Sequence, residues 1–151
     1  EAVASIPGAR AVLSLGHAAP GADDLRALER PGVTVAAYVD QWAILQEADV
    51  FLTHHGLSST HEAIWHEVPM LSYPMFWDQP ALAAKCQELG LALPLAEAPR
   101  GEIRSGHVRA ALEELARHTE TTRDRLAAAR AWEVRTVKGR ETVLDQILAL
   151  A

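Results

Sequence analysis

Five short apolar runs separated by helical segments constrain the fold of this 151-residue chain more than any other feature. The runs are rich in Val, Leu and Ala and are four or five residues long, as buried strands are. They cover residues 11–15, 33–37, 50–53, 70–73 and 91–95, and helical patterns occupy 41–48, 59–66 and 80–89 between them. Strands that alternate with helices in this way predict an α/β fold built on a parallel sheet.

The strand pattern stops after Pro99, and the remaining apolar residues follow helical spacing. We therefore predict one domain over 1–151, with an α/β core over 1–99 and a helical tail over 100–151. The first residues, Glu1 to Ile6, read as the last turns of a helix closed by Pro7 and Gly8. Because a helix in such a fold normally follows a strand, we expect the opening strand to be missing.

Composition excludes several classes of protein. A net charge of −6 argues against nucleic-acid binding, which needs clustered Lys and Arg against phosphates. The longest apolar runs are only a few residues, so neither a membrane span nor a signal core is expected. The single cysteine, Cys86, cannot form an internal disulfide and is expected in the core. We predict a cytoplasmic protein.

The densest group of polar residues, Thr53 to Glu62, lies where the third strand ends and a helix begins. Ligands bind α/β sheets at this edge. The small residues Gly56, Ser58 and Ser59 would let the backbone approach a ligand, and the free N–H groups of the helix would attract an anion such as a pyrophosphate. A turn capped by Ser58 or Ser59, with no ligand, is the alternative.

Two other chemistries fit this cluster less well. A zinc site on His61, Glu62 and His66 would need histidines four apart, whereas these are five apart and point roughly 140° from each other on a helix. We therefore expect no metal.

A serine hydrolase would use Ser58 as the nucleophile on a strand–turn–helix, with Asp78 and then His107 or His118 in the required order. Thr60 stands where that motif needs its second glycine, and the sequence shows no oxyanion glycine run. A serine hydrolase remains a minor alternative.

A longer pattern resembles a known family. It comprises Tyr38-Val39-Asp40-Gln41, Ile44-Leu45, Ala48-Asp49, residues 53–63, Val68-Pro69 and Asp78-Gln79. This pattern resembles the signature of UDP-sugar-dependent glycosyltransferases, the superfamily of UDP-glucuronosyl, plant UDP-glycosyl and bacterial macrolide or flavonoid transferases. The close match covers about residues 33–95. It implies a Rossmann-like parallel sheet with flanking helices, the C-terminal, donor-binding half of a GT-B enzyme.

The resemblance implies roles for ten residues. His54 would donate to the donor diphosphate, and Gly56 with the backbone of Ser58 and Ser59 would complete the anion site. Glu62 would accept hydrogen bonds from the ribose hydroxyls. The other five positions are Tyr38, which would stack on the base, its neighbour Val39, Gln41 near the ribose, and Asp78 and Gln79 on the sugar hydroxyls.

The resemblance also implies a reaction, the transfer of a sugar with inversion from UDP-sugar or dTDP-sugar to a small-molecule acceptor. The nucleotide sugar is a substrate, and we expect neither a metal nor another cofactor. The general base, usually a histidine in relatives, would come from an N-terminal acceptor domain that is not in this sequence. We therefore expect no catalytic residue here and no activity from this chain alone. A non-catalytic nucleotide-sugar-binding subunit is the alternative.

The sequence departs from the family pattern at three positions. Leu57 stands where plant members have Trp and Ser58 where they have Asn, which puts side-chain contacts from these positions in doubt. Glu67 replaces the glycine that usually precedes Val-Pro. We predict either a positive φ at Glu67 or a re-formed turn.

Overall fold

The computed structural model describes residues 2–16 and 21–149. Five strands alternate with helices along the chain. They are β1 (Ala11–Ser14), α1 (Ala22–Leu28), β2 (Val33–Ala36), α2 (Gln41–Leu45), β3 (Phe51–Thr53), α3 (Leu57–Trp65), β4 (Met70–Ser72), α4 (Gln79–Glu88), β5 (Ala92–Pro94), α5 (Ser105–Arg117) and α6 (Thr119–Leu148). All five predicted strands and the helical tail are confirmed.

The strands are all parallel, as predicted, but they form two sheets rather than one. One sheet pairs β1 with β2, and the other has the order β3-β4-β5. In the second sheet Met70 of β4 lies between Phe51 of β3 and Ala92 of β5. Within residues 2–16 and 21–149, β1 is hydrogen-bonded only to β2, and β3 only to β4.

Two details near the start of the chain differ from the sequence prediction. Residues Val3–Ser5 form a single 3-10 turn instead of the last turns of an α-helix, and Glu1 lies outside the described residues. Helix α1 was not predicted. Its apolar residues Leu25 and Leu28 are both more than a third exposed, so its amphipathic pattern is weak.

Burial differs sharply between the strands. The central strand β4 is inaccessible, whereas Val12 of β1 and Leu52 of β3 are each 48% exposed. Parallel strands are normally covered on both faces. The well-packed part of the molecule is therefore centred on β4.

One apolar core joins α3, β4, α4, β5 and α6. It consists of Ala63, Ile64, Met70, Cys86, Leu91, Ala92 and Leu126. Cys86 is 3% exposed, as predicted, and burial raises the pKa of its thiol to about 11. Leu126 is completely buried, so α6 belongs to the same core as the sheet and is more than an appended tail.

The chain leaves helix α3 through a residue with a left-handed backbone, two positions after Trp65. Glu67 has φ +57°, which confirms the first of the two predicted outcomes for this position. Its carboxylate accepts a hydrogen bond from Arg130 of α6 at 2.9 Å. The guanidinium of Arg130 also lies over the Trp65 ring, 5.3 Å from its centroid. The side chain at position 67 thus ties the end of α3 to α6.

Two replacements of Glu67 measure how much the left-handed backbone lowers stability, independently of the ion pair with Arg130. Both Glu67→Gly and Glu67→Ala remove the carboxylate, but only glycine relieves the left-handed strain. We expect Glu67→Gly to be more stable than Glu67→Ala by about 1 kcal/mol in urea unfolding. Equal stability of the two variants would show that the backbone at position 67 is not strained.

Candidate donor-binding site

Three loops bring the predicted site residues to the carboxyl ends of the strands. Because β3 and β4 are parallel neighbours, the loops after Thr53 and Ser72 leave the sheet at the same edge. The loop after β2 leads into α2, which contacts α3. Each loop therefore adjoins the start of a helix.

Helix α3 begins with unpaired backbone donors. Gly56 is its N-cap, with φ −60° and ψ 143°, and no side chain caps the helix. The Thr60 N–H bonds the Gly56 carbonyl at 2.9 Å, so the preceding N–H groups of the first turn have no intrahelical partner. The alternative of a cap at Ser58 or Ser59 is wrong, because the helix starts at Leu57 and both serines lie in its first turn.

His54 and Gly56 are packed against each other at this helix start. A Cβ atom built on Gly56 would lie 2.8 Å from His54 Nε2. The backbone of Gly56 is in a region open to any residue, so a larger residue at position 56 would be opposed by the His54 ring and not by the backbone conformation. The exposed His54 imidazole thus lies beside the N-cap of α3.

Gln41, Ser59 and Glu62 form one hydrogen-bonded group. Gln41 is the first residue of α2, and its N-cap Asp40 accepts a hydrogen bond from the Ala43 N–H at 3.0 Å. Its amide Nε2 donates to Glu62 Oε2 at 2.7 Å and lies 3.2 Å from Ser59 Oγ. The structure therefore joins the loop after β2 to α3 through three of the predicted residues.

Tyr38 and Val39 lie in the loop between β2 and α2. Tyr38 is 81% exposed and Val39 is half-buried. The Tyr38 ring is therefore accessible to a ligand.

Asp78 and Gln79 are adjacent in sequence but differ in environment. Asp78 is exposed, and although it is the N-cap of α4 its carboxylate makes no capping hydrogen bond. Gln79 is 7% exposed, and its Oε1 accepts from the N–H groups of Met75 and Phe76 at 3.0 and 3.3 Å. Asp78 is available to a ligand, whereas the Gln79 carbonyl holds the loop that presents it.

A buried histidine beside His54 was not predicted. His55 is inaccessible to solvent, has φ +61°, and contacts Ser72 and Thr60 through its two ring nitrogens. Burial, and to a lesser degree the charge of His54, lowers the pKa of His55 to about 4. The only signal in the sequence is the pair of adjacent histidines after a predicted strand, which does not indicate which of the two is buried.

The histidines of the two rejected chemistries have other partners. His61 Nδ1 lies 2.5 Å from Glu133 of α6, whereas His66 packs against Trp42 with ring centroids 4.4 Å apart. His107 accepts a hydrogen bond from the Arg104 N–H, and His118 pairs with Glu114. In the part of the chain that the structure describes, neither of these last two bonds Ser58, so the hydrolase alternative gains no support from the geometry.

A family model covers most of the chain. Residues 12–136 match the model described as erythromycin biosynthesis protein CIII-like, C-terminal domain. The match begins within β1 and extends into α6, and so includes all the candidate site residues.

Individual relatives agree with this match. The chain is 32% identical over 88 residues to the uncharacterised UDP-glucosyltransferase YdhE of Bacillus subtilis (strain 168), covering 58% of this chain and 22% of the relative. It superimposes on a glycotransferase of kitacinnamycin with a TM-score of 0.79 and 32% identity, over 97% of this chain and 36% of that one. Glycosyltransferase VinC, solved in complex with dTDP, gives a TM-score of 0.71 at 22% identity, over 86% and 31% of the two chains.

The chain thus spans about a fifth of the length of the curated relative and about a third of each structural neighbour. In the described residues no helix is long and apolar enough to cross a bilayer.

Proposed function

Because the chain belongs to the family of erythromycin biosynthesis protein CIII-like C-terminal domains, which are C-terminal domains of GT-B glycosyltransferases, we propose that it binds the nucleotide-sugar donor of an inverting glycosyltransferase. The observation that carries this proposal is the hydrogen bond of Gln41 to Glu62 beside the uncapped start of α3. Glu62 and the uncapped N-terminus of α3 lie on the same helix, between one and two turns apart, and this arrangement supports contacts to a ribose and a diphosphate from one helix.

The proposed donor lies across this edge of the protein. The diphosphate meets the first-turn N–H groups of α3 and the His54 imidazole, which donate to its oxygens. The ribose lies against Glu62 and Gln41, and the base stacks on Tyr38 beside Val39. The sugar extends to the exposed Asp78, with Gln79 supporting the loop and offering its amide NH₂ group.

The reaction we propose is a single displacement at the anomeric carbon of the donor sugar. The acceptor oxygen bonds to that carbon from the face opposite the diphosphate while the bond to the diphosphate breaks. Negative charge grows on the leaving nucleoside diphosphate, where the helix N–H groups and His54 are already aimed. The acceptor proton goes to a general base from an acceptor-binding domain or a partner chain. We expect no transfer by these 151 residues alone.

The donor is a UDP-sugar or a dTDP-sugar. YdhE is named as a UDP-glucosyltransferase, which supports UDP, and VinC was solved with dTDP. The acceptor is a small molecule of the natural-product type, as the kitacinnamycin neighbour and the family description suggest. We also propose that the protein acts in the cytoplasm, where the donor is made.

Replacement of Glu62 tests the ribose contact. We expect Glu62→Ala to weaken UDP binding about fivefold to tenfold in calorimetric titration, because a carboxylate that accepts from ribose hydroxyls is lost. The loss should be smaller for dTDP, which has no 2′-hydroxyl. Glu141→Ala, which removes one carboxylate from the exposed last third of α6, is the matched control and should change neither affinity.

Two results would contradict the proposal. One is the absence of UDP and dTDP binding by the longest form of the protein that carries this chain. The other is an equal affinity of Glu62→Ala and Glu141→Ala for both nucleotides. Binding of either nucleotide without any sugar transfer by that longest form would favour the non-catalytic binding subunit instead.

A further inference from the structure

His55 is placed where it can control the geometry of the donor site without touching the donor. It lies between His54 and Gly56, completely buried, with a left-handed φ of +61°. Its backbone N–H donates to Thr53 Oγ1 at 3.1 Å, which fixes the turn at the end of β3. The left-handed residue sends the two histidine side chains apart, His55 into the protein and His54 to the surface.

The hydrogen bonds around His55 form a chain with one consistent direction. The Thr60 hydroxyl has a single proton, and it donates that proton to the Gly56 carbonyl at 3.1 Å. Thr60 Oγ1 therefore accepts from His55 Nδ1, 3.3 Å away, so Nδ1 carries the ring proton. His55 Nε2 is then bare and accepts from the Ser72 hydroxyl at 2.7 Å. In this assignment each of the three side-chain protons, on Ser72, His55 and Thr60, is donated once, and the Gly56 carbonyl accepts from both the N–H and the hydroxyl of Thr60.

The chain of hydrogen bonds links two loops of the site. It starts at Ser72, the last residue of β4, and ends on the carbonyl of Gly56, the N-cap of α3. The imidazole is the central member, and its two nitrogens reach the strand on one side and the helix on the other. Without it, the turn that carries His54 has no side-chain connection to β4 among the described residues.

From this geometry we propose that neutral, Nδ1-protonated His55 is a positioning residue that sets the placement of His54 and the start of α3 for binding of a nucleoside diphosphate. The proposal rests on the proposed function for the identity of the ligand. The protonation of the ring does not depend on that function and can be observed directly.

The first test is the tautomer of His55. Long-range ¹H–¹⁵N correlation spectra distinguish the two ring nitrogens of each histidine, and the His55 signals are assigned by their absence in His55→Asn. At pH 7 we expect the proton on Nδ1. A proton on Nε2 would reverse the direction of the chain and overturn the proposal.

The second test is UDP affinity in variants that remove one link each. His55→Ala and Ser72→Ala are each expected to weaken UDP binding about tenfold, although neither side chain contacts the ligand. His55→Asn keeps a donor at the position of Nδ1 and tolerates the left-handed backbone, but it cannot reach Ser72, so it should weaken UDP binding about as much as Ser72→Ala does. Glu141→Ala, which lies in α6 outside the proposed site, is again the control and should leave UDP affinity unchanged.

The outcomes separate this proposal from the function on which it rests. Failure of the wild-type protein to bind UDP counts against the proposed function, and the tautomer then decides the His55 assignment alone. Wild-type affinity in a folded His55→Ala or Ser72→Ala protein overturns the positioning role. If His55→Ala does not fold, Ser72→Ala and His55→Asn decide the question, because both remove the link to Ser72 and leave a side chain that can still bond Thr60.

Discussion

A single methyl group at position 56 is expected to weaken UDP binding by about 10-fold to 100-fold. The Cβ of Gly56→Ala would lie 2.8 Å from His54 Nε2, so the exposed imidazole must swing away from the start of α3. A hydrogen bond from a side chain to a charged group contributes about 1.5 to 3 kcal/mol, which corresponds to this loss of affinity. The backbone of Gly56, with φ −60°, accommodates alanine, but alanine is a poorer N-cap than glycine, so stability should fall by up to about 1 kcal/mol.

A double-mutant cycle shows whether Gly56 acts through His54. If it does, His54→Ala and Gly56→Ala lower UDP affinity by similar amounts, and the double variant is no worse than either single variant. Calorimetric titration of the four proteins with UDP provides the affinities. Additive losses would show that the methyl group obstructs the diphosphate itself. Wild-type affinity in Gly56→Ala would place the diphosphate away from this turn.

The second large effect concerns acid stability. The pKa of buried His55 is lowered to about 4, against an ordinary value of 6.5 that the unfolded chain retains. Between about pH 6.5 and pH 4 the His55 imidazole is therefore protonated in the unfolded state and neutral in the folded state. The stability from the neutral imidazole is complete above pH 6.5 and is lost as the pH falls towards 4. Between pH 7 and pH 4.5 we expect the free energy of unfolding to fall by about 2.5 kcal/mol from this group.

Urea unfolding of the wild type and His55→Asn across this range isolates the contribution of His55. The other six histidines are common to both proteins, so the difference between the two unfolding curves reports on the replacement at position 55. The hydrogen bond with Arg117 is the main cause of the lowered pKa of the exposed Glu114 carboxyl. The contribution of this carboxylate to protein stability is lost only below about pH 4.5, outside the range of the experiment. We expect the His55→Asn curve to be flatter. Parallel curves would show that His55 titrates normally in the folded protein.

The sequence predicts the strands well because their apolar runs are short and clearly bounded. Each predicted strand overlaps the observed one, and the ends differ by one residue or less. Sheet membership is less predictable, because it depends on which edges meet in space. The start of α3 was also misplaced, since Gly56 in extended conformation caps a helix as readily as a serine does.

The sequence likewise predicts some features of the site and not others. The resemblance identified Gln41, Ser59 and Glu62, and the structure brings these three into contact. It does not indicate that the Gln79 carbonyl bonds the backbone of its own loop, because that depends on how the chain turns after β4. Nor does it indicate His55, whose partners Ser72 and Thr60 come from two other elements.

The strand edges described above also determine how the chain behaves when it is concentrated. β1 and β3 each pair on one side only within the described residues, and each carries a large apolar side chain that is half exposed. Such edges are templates for strand addition by a neighbouring molecule, and few charges on these strands oppose it. Edge-to-edge aggregation therefore competes with nucleotide binding as the protein concentration rises. Affinities measured over a dilution series, and extrapolated to low concentration, describe the nucleotide site itself.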